Sequence, residues 1–319
     1  MKPEISVIMS TYNEKEQYIR ESIESILNQT FKDFEFIIVL DNPENEMIKK
    51  VLLDYSKIDS RIKLLFNKKN EGLTESLNIA WKIAEADYIA RMDADDISEP
   101  NRLQIEYNIM LSKNLDLIAT SKLNISENGK NLGKYVDEIK PSKMKFLLPY
   151  DNSICHPTVL MKKKVLIDLN GYRDISSCED YDLWIRMLCK GYKIEIIPAI
   201  LIKCRFRHNS ILRCNEYKRY VSDNYVKQLY KYYIKYNKIP SFQHFIKYSE
   251  HKFSDINSVS KFNEAYSLYK IFIDNMRRKK LGHAVFYFAK SLFIDIRILD
   301  IFLCKIHYHI RKYVVLKWI

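Results

Sequence analysis

Ile5-Ser6-Val7-Ile8-Met9 runs straight into Ser10-Thr11-Tyr12-Asn13-Glu14, and apolar residues then recur at Ile19, Ile23, Ile26 and Leu27. A β-branched run, a polar turn and a helical period make one strand–turn–helix unit. The same unit repeats outward from it. Phe34 to Leu40 is an apolar run of the kind buried on both faces of a parallel sheet, and Asp41-Asn42-Pro43 stops it. Ile48, Val51, Leu52 and Tyr55 follow at helical spacing. Ile62 to Phe66 reads as a third strand, Leu73 to Ala86 as a third helix and Asp87 to Met92 as a fourth strand. This alternation predicts an α/β fold: a mainly parallel sheet, right-handed crossovers and helices on both faces. Ligands of such sheets bind beyond the carboxyl ends of the strands. The polar clusters fall there: Thr11 to Glu14, Asp41, Asn70 to Gly72, and Asp93 to Asp96.

The chain of 319 residues is 47% hydrophobic and 29% charged, which suits a folded protein with a sizeable core. Its net charge of +12 is unevenly spread. Residues 1–210 carry 31 basic and 32 acidic groups, whereas residues 211–319 carry 21 and 8. The basic third predicts a polyanionic partner surface. The six cysteines show no C-x-x-C spacing, so a zinc or redox motif is not expected, and free thiols in a reducing cytosol are the simplest reading. Met1 to Glu14 turns polar after one short apolar run, so no secretion signal is expected, and no stretch is apolar for long enough to span a membrane.

Arg91-Met92-Asp93-Ala94-Asp95-Asp96 carries the sharpest chemistry. Three carboxylates at the end of an interior strand repel one another unless a cation neutralises them. Hard oxygen ligands at one point suit Mn2+ or Mg2+ holding a diphosphate. The bland alternative is a solvated acidic turn with one Asp capping the next helix. Cys178-Glu179-Asp180-Tyr181-Asp182-Leu183-Trp184 opens a helix much later. Carboxylates there complement the helix dipole, or supply a general base. Asp41 is suited to accept hydrogen bonds from a nucleobase, and Gly72 lets backbone approach a ligand.

Together these stretches resemble family 2 glycosyltransferases of the GT-A fold. The resemblance rests on Ser6 to Glu14, Ser25 to Thr30, Asn70 to Leu73, Tyr88 to Asp96, His156-Pro157-Thr158, Gly171-Tyr172-Arg173 and Glu179 to Trp184. Order and spacing agree over about residues 3–210. The resemblance implies an inverting transfer from a nucleotide-diphosphate sugar, with UDP favoured. It implies that Thr11, Tyr12, Glu14 and Asp41 line the nucleotide pocket, with Asn70, Gly72 and Arg91 beside them. Asp93 would contact ribose or metal, and Asp95 would bind the Mn2+ or Mg2+ that bridges the diphosphate. Asp180 would deprotonate the acceptor hydroxyl, with Glu179 and Trp184 on the acceptor side. Glu179 and Asp182 are the next candidates for the base. The implied acceptor is a glycan or a lipid-linked sugar in surface polysaccharide synthesis.

Two departures stand out. The second strand of such enzymes ends in Asp-Asp-Gly-Ser, but here Leu40-Asp41-Asn42-Pro43 keeps one carboxylate. The family's Tyr-Arg-x-His-x-x-Ser becomes Cys204-Arg205-Phe206-Arg207-His208-Asn209-Ser210. Either Arg207 contacts the diphosphate directly, or a register shift restores His208.

Residues 1–210 therefore read as the catalytic domain and 211–319 as a basic, aromatic-rich helical region. Phe286 to Leu303 mixes apolar and charged residues like an interfacial helix. Peripheral attachment to an anionic inner membrane from the cytoplasm is the expectation. Competing classes are weaker. A metal-dependent phosphotransferase lacks a convincing Lys or Thr beside its Asp. A dinucleotide oxidoreductase lacks G-x-G-x-x-G after the first strand. A nucleic-acid-binding protein lacks any recognised motif beside the charge.

Overall fold

The computed structural model describes residues 2–207 and 216–318, apart from the side chains of residues 251 and 318. Two compact units emerge. The first comprises residues 1–145, 153–174 and 179–208, and the second comprises 146–152, 175–178 and 209–319.

The first unit opens with β1 (Ile5–Thr11), α1 (Glu16–Leu27), β2 (Phe34–Leu40), α2 (Glu46–Ile58), β3 (Ile62–Phe66), α3 (Leu73–Ile83) and β4 (Tyr88–Asp93). These strands are parallel neighbours in the order β3-β2-β1-β4. Beyond them come β5 (Ile97–Ser98), α4 (Arg102–Lys113), β6 (Leu117–Ser126), β7 (Asn131–Tyr135), α5 (Pro141–Leu147), a 3-10 turn (His156–Thr158), β8 (Val159–Lys162), α6 (Lys163–Asp168), α7 (Glu179–Cys189) and β9 (Ile194–Phe206). The full sheet runs β3-β2-β1-β4-β8-β6-β9-β5, with β7 paired to β6. It is mixed rather than purely parallel, because β8 runs antiparallel to both β4 and β6.

Alternation along β1 and β2 explains the layering. Ile5, Val7, Met9, Phe36 and Ile38 form one buried cluster with Ile19, Ile23 and Ile26 of α1 and with Ile48, Val51 and Leu52 of α2. Each fully buried Ile or Phe contributes roughly 1.5–3 kcal/mol. Under the sheet lies a polar tie. Ser6 Oγ donates to Glu35 Oε1 at 2.5 Å, and Glu35 is paired with Lys63 at 2.8 Å. Register then aligns the strand ends: Ser10 lies opposite Asp93, and Thr11 opposite Leu40. The three polar turns are thereby brought together.

The second unit contains α8 (Glu216–Tyr236), α9 (Phe242–Phe253), α10 (Ile256–Arg277), α11 (Leu281–Ile294) and α12 (Arg297–Trp318). Its aromatic richness builds its own core. Tyr217, Phe262, Tyr269 and Phe272 are buried together, and the tilted rings of Phe288 and Phe302 pack beside them. The Arg297 guanidinium lies 5.0 Å from the Tyr217 ring centre and 5.4 Å from that of Phe262, and pairs with Asp295 at 2.5 Å. The interfacial helix expected over Phe286 to Leu303 is two helices instead. Asp295 breaks it, because its carboxylate accepts from the Arg297 N–H at 2.9 Å and fixes a corner there. Among the described residues no helix is long and apolar enough to cross a membrane.

Candidate active site

β1 delivers Thr11 and the turn after it. Thr11 Oγ1 and the Tyr12 N–H both donate to Glu14 Oε2, at 2.7 and 2.9 Å. Glu14 therefore folds the turn, and Tyr12 is left 44% exposed at its tip. β2 delivers Asp41, which is buried and fully engaged. Its Oδ1 accepts from Asn67 Nδ2 at 2.6 Å and from the Glu71 N–H at 2.8 Å, and its Oδ2 accepts from the Gly72 N–H at 2.9 Å. The single carboxylate left at this strand end thus shapes the 70–72 loop. Asn70 Oδ1 also accepts from the Gly72 N–H, at 3.0 Å. Gly72 has φ +85°, which side chains rarely adopt, and it opens α3.

β4 delivers the aspartates. Carboxylate oxygens of Asp93, Asp95 and Asp96 all lie within 4.8 Å of one another. Burial, then the Asp93 charge, pushes the Asp95 carboxyl up to about 6. Burial, then Asp93 and Asp95, pushes Asp96 up as well. Such crowding is what a hard divalent cation relieves, so the donor set fits Mn2+ or Mg2+. Below them Arg91 is buried and reaches Asp93 Oδ1 at 2.5 Å. Expected to touch the donor itself, Arg91 is buried instead, with its guanidinium against Asp93.

β9 closes the cluster from the far end of the unit. The Arg205 N–H donates to Asp96 Oδ1 at 2.7 Å, and its Nε donates to the Asp95 carbonyl at 2.8 Å. The same guanidinium pairs with Glu21 and lies 4.4 Å from the Tyr18 ring centre. Arg207 Nε approaches Asp95 Oδ2 at 2.5 Å, and its guanidinium is 3.7 Å from Glu14. His208, the alternative raised by the sequence, lies outside the described residues.

α7 brings its first turn toward the same charges. Burial, then Asp180, pushes Glu179 up to about 8, and Arg91 and Asp93 also act on it. Asp180 Oδ1 accepts from the Tyr181 N–H at 2.6 Å. Asp182 is fully buried between Arg173 and Arg186, which removes it as an alternative base. Trp184, expected on the acceptor side, is 0% exposed and offers an acceptor no surface. Its ring packs edge-on to His156 at 5.8 Å. His156 Nδ1 lies 3.9 Å from Glu179, and its Nε2 is 3.1 Å from the Tyr172 hydroxyl. Burial, then the Arg91 charge, pushes His156 well down, so it stays neutral.

The Gly171-Tyr172-Arg173 stretch now has a physical role. A Cβ on Gly171 would meet Asn78 Oδ1 at 2.4 Å, so only glycine allows this approach to α3. Tyr172 meets His156, and Arg173 holds Asp182. The sequence did not single out Arg205, Glu21 or Tyr18. The signal for Arg205 was its place two residues before Arg207 in the departing motif.

Known proteins resemble this chain in sequence and in fold. Residues 6–169 match the model of the family described as glycosyl transferase family 2. An uncharacterised glycosyltransferase of Methanocaldococcus jannaschii is 41% identical over 227 residues, covering 69% of this chain and 77% of that protein. The O-antigen biosynthesis glycosyltransferase WbnJ of Escherichia coli is 36% identical over 211 residues, covering 65% and 81%. Among solved structures, S. aureus TarS 1-349 in complex with UDP-GlcNAc matches with a TM-score of 0.59 at 16% identity, covering 90% of each chain. That likeness is one of fold, and it confirms the GT-A architecture with a helical C-terminal part. A chain that fits the family model over residues 6–169, and shares 41% identity with a glycosyltransferase along most of its length, belongs to glycosyl transferase family 2.

Proposed function

We propose that this glycosyltransferase moves a sugar from a UDP-sugar to a hydroxyl of a glycan or lipid-linked acceptor, with inversion, in the synthesis of a surface polysaccharide. The carrying observation is the trio of carboxylates within 4.8 Å at the end of β4, with Arg207 on Asp95. In this reading the catalytic domain is residues 1–210. Tyr12 and the loop at Asn70 and Gly72 border the nucleotide, while Thr11, Glu14 and Asp41 hold those two turns in shape. UDP is favoured by the family resemblance, and the polysaccharide pathway by relatives such as the O-antigen enzyme.

Asp93 and Asp95 would hold a divalent cation, which supplies charge neutralisation for a departing diphosphate. Arg207 adds a fixed positive charge at the same point. As the sugar's C1–phosphate bond breaks, the acceptor oxygen attacks the opposite face and its proton becomes acidic. Asp180 takes that proton. Glu179, pushed up to about 8, stays largely protonated at neutral pH and donates a hydrogen bond instead. Neutral His156, held by the Tyr172 hydroxyl, lies 3.9 Å from Glu179, and Trp184 packs on His156.

The basic helical region would rest on an anionic membrane from the cytoplasmic side, near a lipid-linked acceptor. Support comes from α11, where Leu281, Val285 and Phe286 are exposed and Phe293 is 93% exposed, and from the adjoining Arg277 to Lys280.

The test is a panel of nucleotide sugars assayed for nucleotide release, with Mn2+, Mg2+ or EDTA. The expected result is release from a UDP-sugar that EDTA abolishes. Full activity of metal-stripped enzyme in EDTA would overturn the aspartate reading.

A further inference from the structure

Three residues that the transfer reaction does not use form a second chemical cluster in the first unit. Lys122 is on β6, Cys204 is on β9, and Cys155 precedes the 3-10 turn. Lys122 Nζ lies 3.1 Å from Cys155 Sγ. Cys155 Sγ lies 3.9 Å from Cys204 Sγ. Both residues are partly exposed, with their sulfurs set inward. β6 and β9 are parallel, with Asn124 opposite Cys204 and Lys122 opposite Ile202, so the ammonium and the Cys204 thiol come from adjacent strands. The Cys155 carbonyl accepts from both the N–H and the hydroxyl of Thr158, which pins its backbone.

We propose that Cys155 is a reactive thiolate, a modification site for peroxides and small disulfides, and that Cys204 resolves the product as an intramolecular disulfide. An ammonium in contact stabilises the thiolate, which is the nucleophilic form. The neighbouring Cys204, then Lys122, holds the Cys155 thiol down at about 6 against burial. Cys204, its hydrogen-bond partner, is pushed up and keeps its proton. One sulfur is thus set to attack and the other to follow. With a peroxide, the Cys155 thiolate attacks one oxygen and the O–O bond breaks. A sulfenic acid and hydroxide result, and the hydroxide takes up a proton to become water. Cys204 sulfur then attacks Cys155 sulfur, the S–O bond breaks, and a second water leaves carrying the Cys204 proton. Two thiols lose two electrons, and one peroxide becomes two waters.

The bond would draw the sulfurs from 3.9 Å to about 2.05 Å. Cys204 is joined to Arg205, whose N–H and Nε hold Asp96 and the Asp95 carbonyl. Oxidation would therefore pull on the strand that arranges the aspartates and weaken donor binding. This consequence rests on the donor site proposed above; the disulfide itself does not.

The experiment treats the full chain with hydrogen peroxide at a few molar equivalents, followed by digestion without reductant and mass spectrometry. The expected product is a peptide pair joining Cys155 to Cys204, two hydrogens lighter and cleaved by dithiothreitol. In Cys204→Ser, Cys155 stops at the sulfenic acid, which dimedone traps. In Lys122→Met, alkylation of Cys155 by iodoacetamide at neutral pH falls about tenfold. Absence of the joined pair, or alkylation of Cys155 no faster than exposed Cys304, would overturn the proposal. UDP binding with Mn2+ is measured before and after oxidation, and a loss reversed by dithiothreitol is expected. A disulfide with unchanged UDP affinity sinks the coupling, whereas reduced protein that never binds UDP sinks the donor reading alone.

Discussion

Arg207 Nε lies 2.5 Å from Asp95 Oδ2, so the residue that departs from the family pattern is joined to the aspartate expected to hold the metal. An arginine there cannot lose its charge, whereas the histidine it replaces can. The site therefore carries a permanent cation in addition to any metal. Arg207→Ala should raise the Kd for UDP about tenfold or more, the loss of a hydrogen bond between charged groups. Binding of Mn2+ alone should not weaken, because Asp95 is then freed. Titration calorimetry for UDP and electron paramagnetic resonance for Mn2+ separate the two. Weaker Mn2+ binding with unchanged UDP affinity would reverse the assignment.

The proposed mechanism gives the neighbours Asp180 and Glu179 different tasks. On a helix adjacent side chains point about 100° apart, so one of them aims at the acceptor. Asp180→Asn should cut turnover about 10²-fold or more while leaving the Kd for UDP unchanged. Asp95→Ala should lose turnover and UDP affinity together. Near wild-type turnover by Asp180→Asn on the true acceptor would refute its role as base.

Glu179 also gives a pH signature. It ionises near 4.3 in an unfolded chain but at about 8 in the folded one, through burial first and Asp180 second. Its protonated form is the one that the fold accepts. The stability it contributes is complete in acid and is lost as pH rises through the folded value. Glu179→Gln mimics the protonated form at every pH. The melting temperature of the variant, relative to the parent, should be level near pH 4 and climb between about pH 5 and 8. A difference that stays flat across this range would contradict the burial argument.

On α11, Phe286 and Phe293 are exposed beside Lys290. The chain should sediment with vesicles containing anionic lipid and not with neutral ones, and salt should weaken the effect, since each basic group contributes about 1 kcal/mol near such a surface. Phe286→Glu with Phe293→Glu should reduce sedimentation without altering the melting temperature. Equal sedimentation of the double variant would place the contact elsewhere.

Much of this was legible in the residues. The alternation from Ile5 to Met92 gave four parallel strands, because burial on both faces leaves a local apolar pattern. Asp93 and Asp95 were legible because like charges clustered at a strand end are costly without a purpose. Other parts were set by distant pairings that no local pattern records. β8 enters antiparallel between β4 and β6, and nothing in Val159 to Lys162 encodes that direction. The resemblance set Trp184 on the acceptor side, yet it is packed against His156, a residue 28 positions earlier. Asp182 matched the acidic first turn of α7, but Arg173 and Arg186 consume it. A single corner at Asp295 split one apparent helix into two, because one carboxylate accepting from a backbone N–H two residues on outweighs a mixed helical pattern.

The reach of Arg205 has a consequence for how the protein is made. Arg205 pairs with Glu21 across 184 positions and with Asp96 across 109. A ribosome that has released α4 has already made Asp93, Asp95 and Asp96 but neither of the arginines that close over them. Until β9 emerges, Arg91 can pair with Asp93, but Asp95 and Asp96 lack the contacts that Arg205 and Arg207 make with them. Pairings this distant form late, since the loop entropy must be lost before they contribute. The proposed nucleotide site would therefore be completed late in the assembly of the first unit, and a chain truncated before β9 would keep its aspartates yet lack the frame that aims them.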